Sequence, residues 1–278
     1  MEMEDGEQGG WGSKAWDFLS TVRSVSPLIQ CITNFVSMDL TANTLLSAGA
    51  SPAMLHSSIE SPDFTPHVHA LYINVGTLSE NWLPAMKVAA QLASKFNKPW
   101  VLDPVAASAS GFRLKACLEL ISLKPSVIRG NASEIIALAN VSFGSSSTKG
   151  VDSSHESTDA VEAAKSLASS SGAVVAVSGA VDFITNGNRV VGVRNGVPMM
   201  QKITATGCAV TALIAAFVAI DPSHALEATA SALAVFGVAG EIGMETAGGP
   251  ASLRMHLIDS LHGLDQTAVI SRVKIVTV

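Results

Sequence analysis

The sequence has only three cysteines, and their placement excludes two classes of protein. Cys31, Cys117 and Cys208 are odd in number and lie far apart, with no CxxC pair among them. A disulfide framework needs paired cysteines, and the usual zinc sites need closely spaced ones. We therefore expect neither a disulfide-stabilised fold nor a cysteine zinc site.

Charge and long hydrophobic runs are also scarce. Only 14% of the 278 residues are charged and the net charge is −6, which argues against nucleic acid as the main partner because a phosphate backbone requires a basic face. The most apolar run, Ala209 to Ile220, is too short to cross a bilayer, and the amino-terminal MEMEDGEQGG is acidic, unlike a secretory or organellar leader. We predict a cytoplasmic protein without a membrane partner.

Four widespread motifs are missing from the sequence. It contains no Walker A motif, no GxGxxG after the first predicted strand, no HExxH and no GxSxG. Their absence argues against a P-loop nucleotide site, a standard dinucleotide site, a zincin and a hydrolase nucleophile elbow. A small anionic ligand held by backbone amides and one or two cations remains possible.

What the chain does have is apolar residues, at 48%, enough to form the core of one large α/β domain. Predicted strands alternate with helices, the pattern of right-handed βαβ crossovers in a mostly parallel sheet covered on both faces. Asn186-Gly187 predicts a late β-hairpin. We expect a single domain over residues 13–278, a disordered acidic leader over residues 1–12 and a mobile Ser-rich loop over residues 141–157.

Polar residues follow several predicted strands of this sheet. Asn34, Asn74 and Asp103 each stand at a strand's carboxyl end, where open parallel sheets bind ligands. Asn34, Asp103 and Glu134 are oxygen donors suited to Mg²⁺, directly or through water. Asp103 precedes a proline and could instead form a turn, and Glu134 could be a helix-start charge. The sequence leaves these alternatives open.

The stretch from Gln201 to Ile220 has the pattern of a turn that leads into a buried helix. Backbone amides at such a helix start lack intrahelical partners and attract anions, so Thr206 and Gly207 are predicted to form an anion hole. Gly207 permits a close approach to a ligand, and the thiol of Cys208 would face that ligand, with a pKa that a helix start can lower. The alternative is an ordinary glycine turn with a packed thiol.

Five segments in one order carry a resemblance that spans nearly the whole chain. They are QCITNFVSMDLTANTLLSAGASPAM, LYINVGTL, VLDPVAASASGFR, VIRGNASEI and ITATGCAVTALIAAF. In them the chain resembles the hydroxyethylthiazole kinase family of the ribokinase-like superfamily. The resemblance implies a ribokinase-like fold and ATP-dependent phosphorylation of the hydroxyl of 4-methyl-5-(2-hydroxyethyl)thiazole, in the salvage branch of thiamine biosynthesis. It also implies Mg²⁺ as cofactor and a homotrimer with active sites between subunits.

The same resemblance assigns roles to individual residues. Cys208 stands where the wider superfamily usually has an aspartate general base, and it is expected to act as base or to orient the hydroxyl. Arg129 and Ser178 resemble the contacts to ATP, although a surface salt bridge and a Ser-Gly turn are their ordinary alternatives. Met54 matches the thiazole-contacting position and would otherwise be a core residue. Ala205, assigned to the substrate site, stands where the family more commonly has glycine, and we expect little effect because the backbone makes the contact.

Three functions therefore remain open. The favoured one is the thiazole kinase. The second is another small-alcohol kinase or a nucleotide-hydrate dehydratase of the same fold, although an aspartate at position 208 would have favoured those kinases. The third is a non-catalytic nucleotide-binding protein.

Overall fold

The computed structural model describes residues 5–142 and 156–278, which form a nine-stranded sheet with helices on both faces. The strand order is β2-β1-β3-β4-β5-β6-β7-β8-β9, with parallel pairing from β2 through β6 and antiparallel pairing from there to β9. The strands are β1 (Leu28–Ile32), β2 (Ser51–Met54), β3 (Ala70–Asn74), β4 (Trp100–Asp103), β5 (Val127–Asn131), β6 (Val174–Ser178), β7 (Asp182–Thr185), β8 (Val190–Val193) and β9 (Ile275–Thr277).

The helices form one layer on each face of the sheet. One layer contains α1 (Asp5–Val25), α2 (Met38–Ser47), α8 (Thr206–Ile220), α9 (Ala225–Met244), α10 (Pro250–Gly263) and α11 (Gln266–Arg272). The other contains α4 (Trp82–Lys95), α5 (Gly111–Ile121), α6 (Ala132–Ser142) and α7 (Glu156–Ser171), and the four-residue α3 (Ser61–Phe64) packs on α4. The predicted α/β architecture, with a mostly parallel sheet and helices on both faces, is confirmed.

The central strands show how the sequence produces two layers. Every residue of β3 is buried, because both of its faces are covered. Leu71 and Ile73 belong to the core on the α4 side, whereas Ala70 and Tyr72 belong to the core on the α8 side. The period of two along the strand thus directs Tyr72 toward α8, where the site lies.

The predicted leader requires a correction. Residues 5–12 are not a disordered segment, because α1 begins at Asp5 and continues through them. Trp11 is 6% exposed and packs in the core that α1 shares with α8 and α9. The acidic, glycine-containing composition of this segment does not favour a helix by itself, and the helix is stabilised by tertiary packing. Residues 1–4 lie outside the described part of the chain.

The predicted hairpin is present, whereas only the two ends of the predicted loop belong to the described residues. Residues 143–155 of the expected loop lie outside the described residues, and its two ends, residues 141–142 and 156–157, belong to helices. The hairpin of β7 and β8 is present, with Gly187 at a φ of +96°. Its turn is stabilised by the Asn186 side chain, whose Oδ1 accepts from the N–H groups of Asn188 and Arg189.

One helix of the described residues has the length and apolar composition of a membrane span. Pro222–Met244 is long and apolar enough to cross a membrane by length and composition alone, but 78% of that window is buried inside the protein. It is therefore placed as a core helix of the α8 layer.

Candidate active site

The site is organised around the start of α8, which packs over β1, β3 and β4. Ala205 precedes the helix with a φ of +67°, in the left-handed region, and Thr206 Oγ1 donates back to the carbonyl oxygens of Met200 and Ile203. The amide of Ala209 makes the first bond inside the turn, to Ala205 O. The amides of Thr206, Gly207 and Cys208 precede it, as an anion hole requires.

The backbone conformation of Ala205 adds a cost in stability. A left-handed φ is costly for a residue with a Cβ and free for glycine. The expectation that alanine has little effect on the backbone contact to the substrate stays a prediction.

Arg129 and Ser178 lie together on one side of the helix start. They are on the adjacent parallel strands β5 and β6, and Arg129 Nε donates to Ser178 Oγ at 2.8 Å. Both line a cavity of about 360 Å³ that also receives Thr206 and Gly207. A Cβ on Gly207 would lie 2.7 Å from Arg129 Nη1, so glycine is required for this approach.

The same cavity has an apolar part in its lining. Residues of the β8–α8 connection and of α9 contribute Val197, Met200, Leu233 and Phe236, beside the polar Asn195 and Gln201. A guanidinium and helix-start amides suit phosphates, and apolar side chains suit a flat ring system.

Cys208 lies on the other side of the helix start, toward β1 and β3. Its sulfur accepts from Asn34 Nδ2 at 3.5 Å, and its carbonyl oxygen accepts from the Tyr72 hydroxyl at 2.9 Å. Burial raises the pKa of the Cys208 thiol, and the charge of Asp103 adds to this, against smaller opposing effects of Asn34, Asn74 and Arg129. Desolvation is the largest of these effects, so the net shift is opposite to the lowering expected at a helix start.

Asp103 and Glu134 form the acidic part of the site. Asp103 is 1% exposed, and its Oδ2 accepts from Thr211 Oγ1 at 2.9 Å. Burial raises the pKa of Asp103 to about 6; Arg129 opposes this shift and the charge of Glu134 adds to it. Glu134 is 8% exposed, and its two oxygens accept from the amides of Ala106 and Asn131. Glu134 lies in the first turn of α6 and accepts from the amide that precedes the helix, so the alternative of a helix-start charge also applies to it.

These two carboxylates fit a hard cation, whereas Asn34 fits less well. Two buried carboxylates that repel each other are stabilised by a cation between them, and both present the oxygens Mg²⁺ prefers. Asn34 Oδ1 already accepts from the amides of Val36 and Ser37. Among the described residues no group of three or more His, Cys, Asp or Glu side chains forms a cation site by itself, so phosphate or water oxygens would complete the coordination.

Met54 ends β2, the strand at the open edge of the sheet. It is paired with Cys31 of β1, is half-buried and packs against the α8-side core. Large apolar side chains near this edge are exposed: Phe35 at 70% and Ile59 at 88%. The side of the site next to Met54 is thus open, with exposed apolar side chains in the segments that follow β1 and β2.

Three residues of the site were not predicted from the sequence as functional. Tyr72 and Thr211 have the pattern of core positions in a strand and a helix, and only their hydroxyl groups could have signalled a role. Asp182, at the start of β7, lines the cavity beside Ser178, and burial raises the pKa of its carboxyl group. Asn74 differs from these three, because the sequence predicts it at a ligand-binding strand end but assigns it no specific role.

Comparison with known proteins gives a consistent result. Residues 19–267 match the model of the hydroxyethylthiazole kinase family. A hydroxyethylthiazole kinase of Arabidopsis thaliana is 70% identical over 269 residues, which cover 97% of each chain. One of Zea mays is 68% identical, covering 98% of this chain and 96% of its own.

Solved structures agree with the sequence comparison. The hydroxyethylthiazole kinase of Pyrococcus horikoshii OT3 has a TM-score of 0.88 and 38% identity, covering 95% of this chain and 98% of its own. A pyridoxal kinase of Staphylococcus aureus, in complex with AMP-PCP and pyridoxal, has a TM-score of 0.58 at 15% identity, covering 80% of this chain and 90% of its own. At that identity the second likeness shows a shared fold only.

Proposed function

The chain belongs to the hydroxyethylthiazole kinase family, and we propose that it transfers the terminal phosphate of ATP to the hydroxyl of 4-methyl-5-(2-hydroxyethyl)thiazole in thiamine biosynthesis and salvage. The observation that carries the assignment of roles is the position of the α8 start. It has Arg129 and Ser178 with the cavity on one side, and Cys208 with the open apolar edge on the other. A donor and an acceptor can therefore meet at its amides.

ATP binds in the cavity with its phosphates against Arg129, Ser178 and the amides of Thr206 and Gly207. Its base lies among the apolar side chains that line the same cavity, such as Leu233 and Phe236. During transfer the thiazole hydroxyl oxygen forms a bond to the terminal phosphorus, the bridging P–O bond to ADP breaks, and the hydroxyl proton passes to solvent water. The helix-start amides and Arg129 stabilise the charge that spreads over the transferred group.

Cys208 orients the acceptor hydroxyl in this proposal. With its pKa raised, the thiol is neutral near pH 7 and is a poor base. A loose, metaphosphate-like transition state needs little help from a base, whereas it depends strongly on alignment. A hydrogen bond between the thiol and the hydroxyl would supply that alignment.

Asp103 and Glu134 would hold Mg²⁺, together with water and phosphate oxygens. When bound, the ion would neutralise charge on the phosphates. In the protein alone, Arg129 partly offsets the two buried carboxylates. Of the three metal ligands predicted from the sequence, Asn34 is left out of this proposal, because its side-chain oxygen accepts hydrogen bonds in the turn after β1.

The assembly expected is a homotrimer with shared active sites. The exposed apolar residues Phe35 and Ile59, close to the end of β1 and after β2, leave the acceptor side uncovered in one chain. A neighbouring subunit would cover them and complete the thiazole pocket beside Met54. Cytoplasmic location stays a prediction.

The deciding experiment follows ADP release with ATP and Mg²⁺ over a panel of small alcohols. We expect release with the thiazole alcohol, and far less with pyridoxal, sugars or hydroxymethylpyrimidine. ADP release with another member of the panel instead would support a different kinase of the fold, and no release with any would support a non-catalytic protein. Sedimentation of a fully active monomer would contradict the shared site.

A further inference from the structure

Tyr72 is the only tyrosine of the chain, and its side chain is fully buried beneath the start of α8. We infer that Tyr72 is a positioning residue that acts through Asn74 and Asn34 to fix the direction of the Cys208 thiol. The inference rests on the proposed function, in which that thiol aligns the acceptor hydroxyl.

Four residues from three elements form a closed ring of hydrogen bonds. Asn74 Nδ2 donates to the Tyr72 hydroxyl at 2.8 Å, and Asn34 Nδ2 donates to Asn74 Oδ1 at 2.8 Å. Asn34 Nδ2 also donates to Cys208 Sγ at 3.5 Å, and the Tyr72 hydroxyl donates to Cys208 O at 2.9 Å. Tyr72 therefore reaches both the backbone and the thiol of the same residue.

Backbone amides fix the direction of this ring. The amides of Val36 and Ser37 donate to Asn34 Oδ1, and the amide of Gly76 donates to Asn74 Oδ1. Each carboxamide oxygen is thus an acceptor, and each Nδ2 can only donate. The sulfur of Cys208 must accept from Asn34, and its own proton is directed away from Asn34.

The ring is also rigid enough to hold a direction. Tyr72 and Asn74 are fully buried and Asn34 is 4% exposed, so water does not compete for these groups. Without the tyrosine hydroxyl, Asn74 Nδ2 would lose its acceptor in this ring. A buried donor without a partner is unfavourable, so the Asn74 side chain would shift and loosen the bond from Asn34 to the sulfur.

The first test compares Tyr72→Phe with wild type in the thiazole assay. The ring of the side chain remains packed and only the hydroxyl is lost, so we expect kcat to fall by about three- to tenfold, the size of one neutral hydrogen bond, with the KM for ATP nearly unchanged. Thr185→Val is the matched control. It removes a buried hydroxyl that donates to Arg189 O and accepts from Gly187 N in the hairpin, and kcat should not change.

A double variant separates positioning from a general effect on folding. In a Cys208→Ala background, Tyr72→Phe should lower kcat no further, because there is no thiol left to direct. An equal fall in both backgrounds would overturn the inference, as would an unchanged kcat in Tyr72→Phe. A wild type inactive on the thiazole would refute the proposed function itself, a different result.

The single tyrosine also provides a measurement without any substitution at position 72. Protein labelled with 3-fluorotyrosine should give one ¹⁹F resonance, which we expect to shift when the thiazole alcohol binds. The shift should vanish in labelled Cys208→Ala. This measurement tests the inference even where Tyr72→Phe fails to fold. A resonance that does not shift when the thiazole binds would overturn the inference, as would an equal shift in Cys208→Ala.

Discussion

Replacing Gly207 by alanine should damage ATP binding while leaving the fold intact. An ideal Cβ at this position lies 2.7 Å from Arg129 Nη1 and 3.4 Å from Nη2. Because ordinary contact begins at 3.4 Å, the nearer nitrogen must retreat from 2.7 Å by about 0.7 Å. The obstructing atom is the end of a flexible side chain, so the guanidinium and not the backbone would move.

The expected change in stability is small and can be calibrated. Alanine favours a helix over glycine by about 0.8–1.0 kcal/mol, which offsets the cost of displacing Arg129. Gly111→Ala is the matched control, because Gly111 is also in the first turn of a helix and nothing lies within 4 Å of the position its Cβ would take. We expect melting temperatures within a few degrees of wild type for both variants.

The expected change in ATP binding is large by comparison. The displacement strains the bond from Arg129 Nε to Ser178 Oγ and moves the guanidinium from its place in the cavity. Losing a hydrogen bond to a charged group costs about 1.5–3 kcal/mol, or roughly a 10- to 150-fold rise in the KM for ATP. Steady-state kinetics at saturating thiazole measure this. An unchanged KM for ATP, or an equal rise in Gly111→Ala, would refute the reasoning.

Three further predictions concern the same site. Ala205→Gly should raise stability by about 1 kcal/mol with activity unchanged, because glycine relieves the left-handed φ; thermal unfolding together with the kinase assay checks this. Cys208→Ala should lower kcat with little change in the KM for ATP. Cys208→Asp should recover activity mainly at higher pH, because the burial and the Asp103 charge that raise the thiol pKa would also raise the pKa of the introduced carboxyl group. The pH profiles of kcat for both variants measure this. The pKa of Asp103 is about 6 in the folded protein, above the usual 3.8, so its carboxyl group binds more protons in the folded than in the unfolded state between these pH values. Its contribution to wild-type stability should therefore fall by up to about 3 kcal/mol as pH rises through this window. Denaturant unfolding should show a shallower fall in Asp103→Asn.

Much of the fold could be predicted because its signals are local. Strands such as β1 and β4 are short apolar runs that end at polar residues, and α4 carries a clear apolar stripe of Met86, Ala89 and Ala93. The start of α1 could not be predicted in this way. Its helical state depends on Trp11 being buried in a core built by segments that are far away in sequence.

In the candidate site, too, features with a local sequence pattern could be predicted, whereas features that depend on tertiary packing could not. Gly207 was predicted because a helix start has a recognisable pattern, and the structure adds that the glycine makes room for Arg129. The raised thiol pKa of Cys208 could not be predicted, because desolvation and the charge of Asp103 come from tertiary packing. Tyr72 was hidden for the same reason, since a buried strand residue shows no partner in sequence.

The pKa values of Cys208 and Asp103 constrain how such a site can accelerate the reaction. Because burial raises the pKa of the Cys208 thiol, the proposed mechanism does not rely on that thiol to remove the hydroxyl proton. The carboxylate nearest to it, Asp103, is ionised near pH 7 but is engaged by Thr211 and Tyr72. In the proposed mechanism, alignment of the hydroxyl and stabilisation of the phosphate charge by amides and Arg129 are therefore the main contributions. It follows that Cys208→Asp should displace the pH dependence of kcat, whereas Tyr72→Phe should displace it only through the hydrogen bond that Tyr72 donates to Asp103.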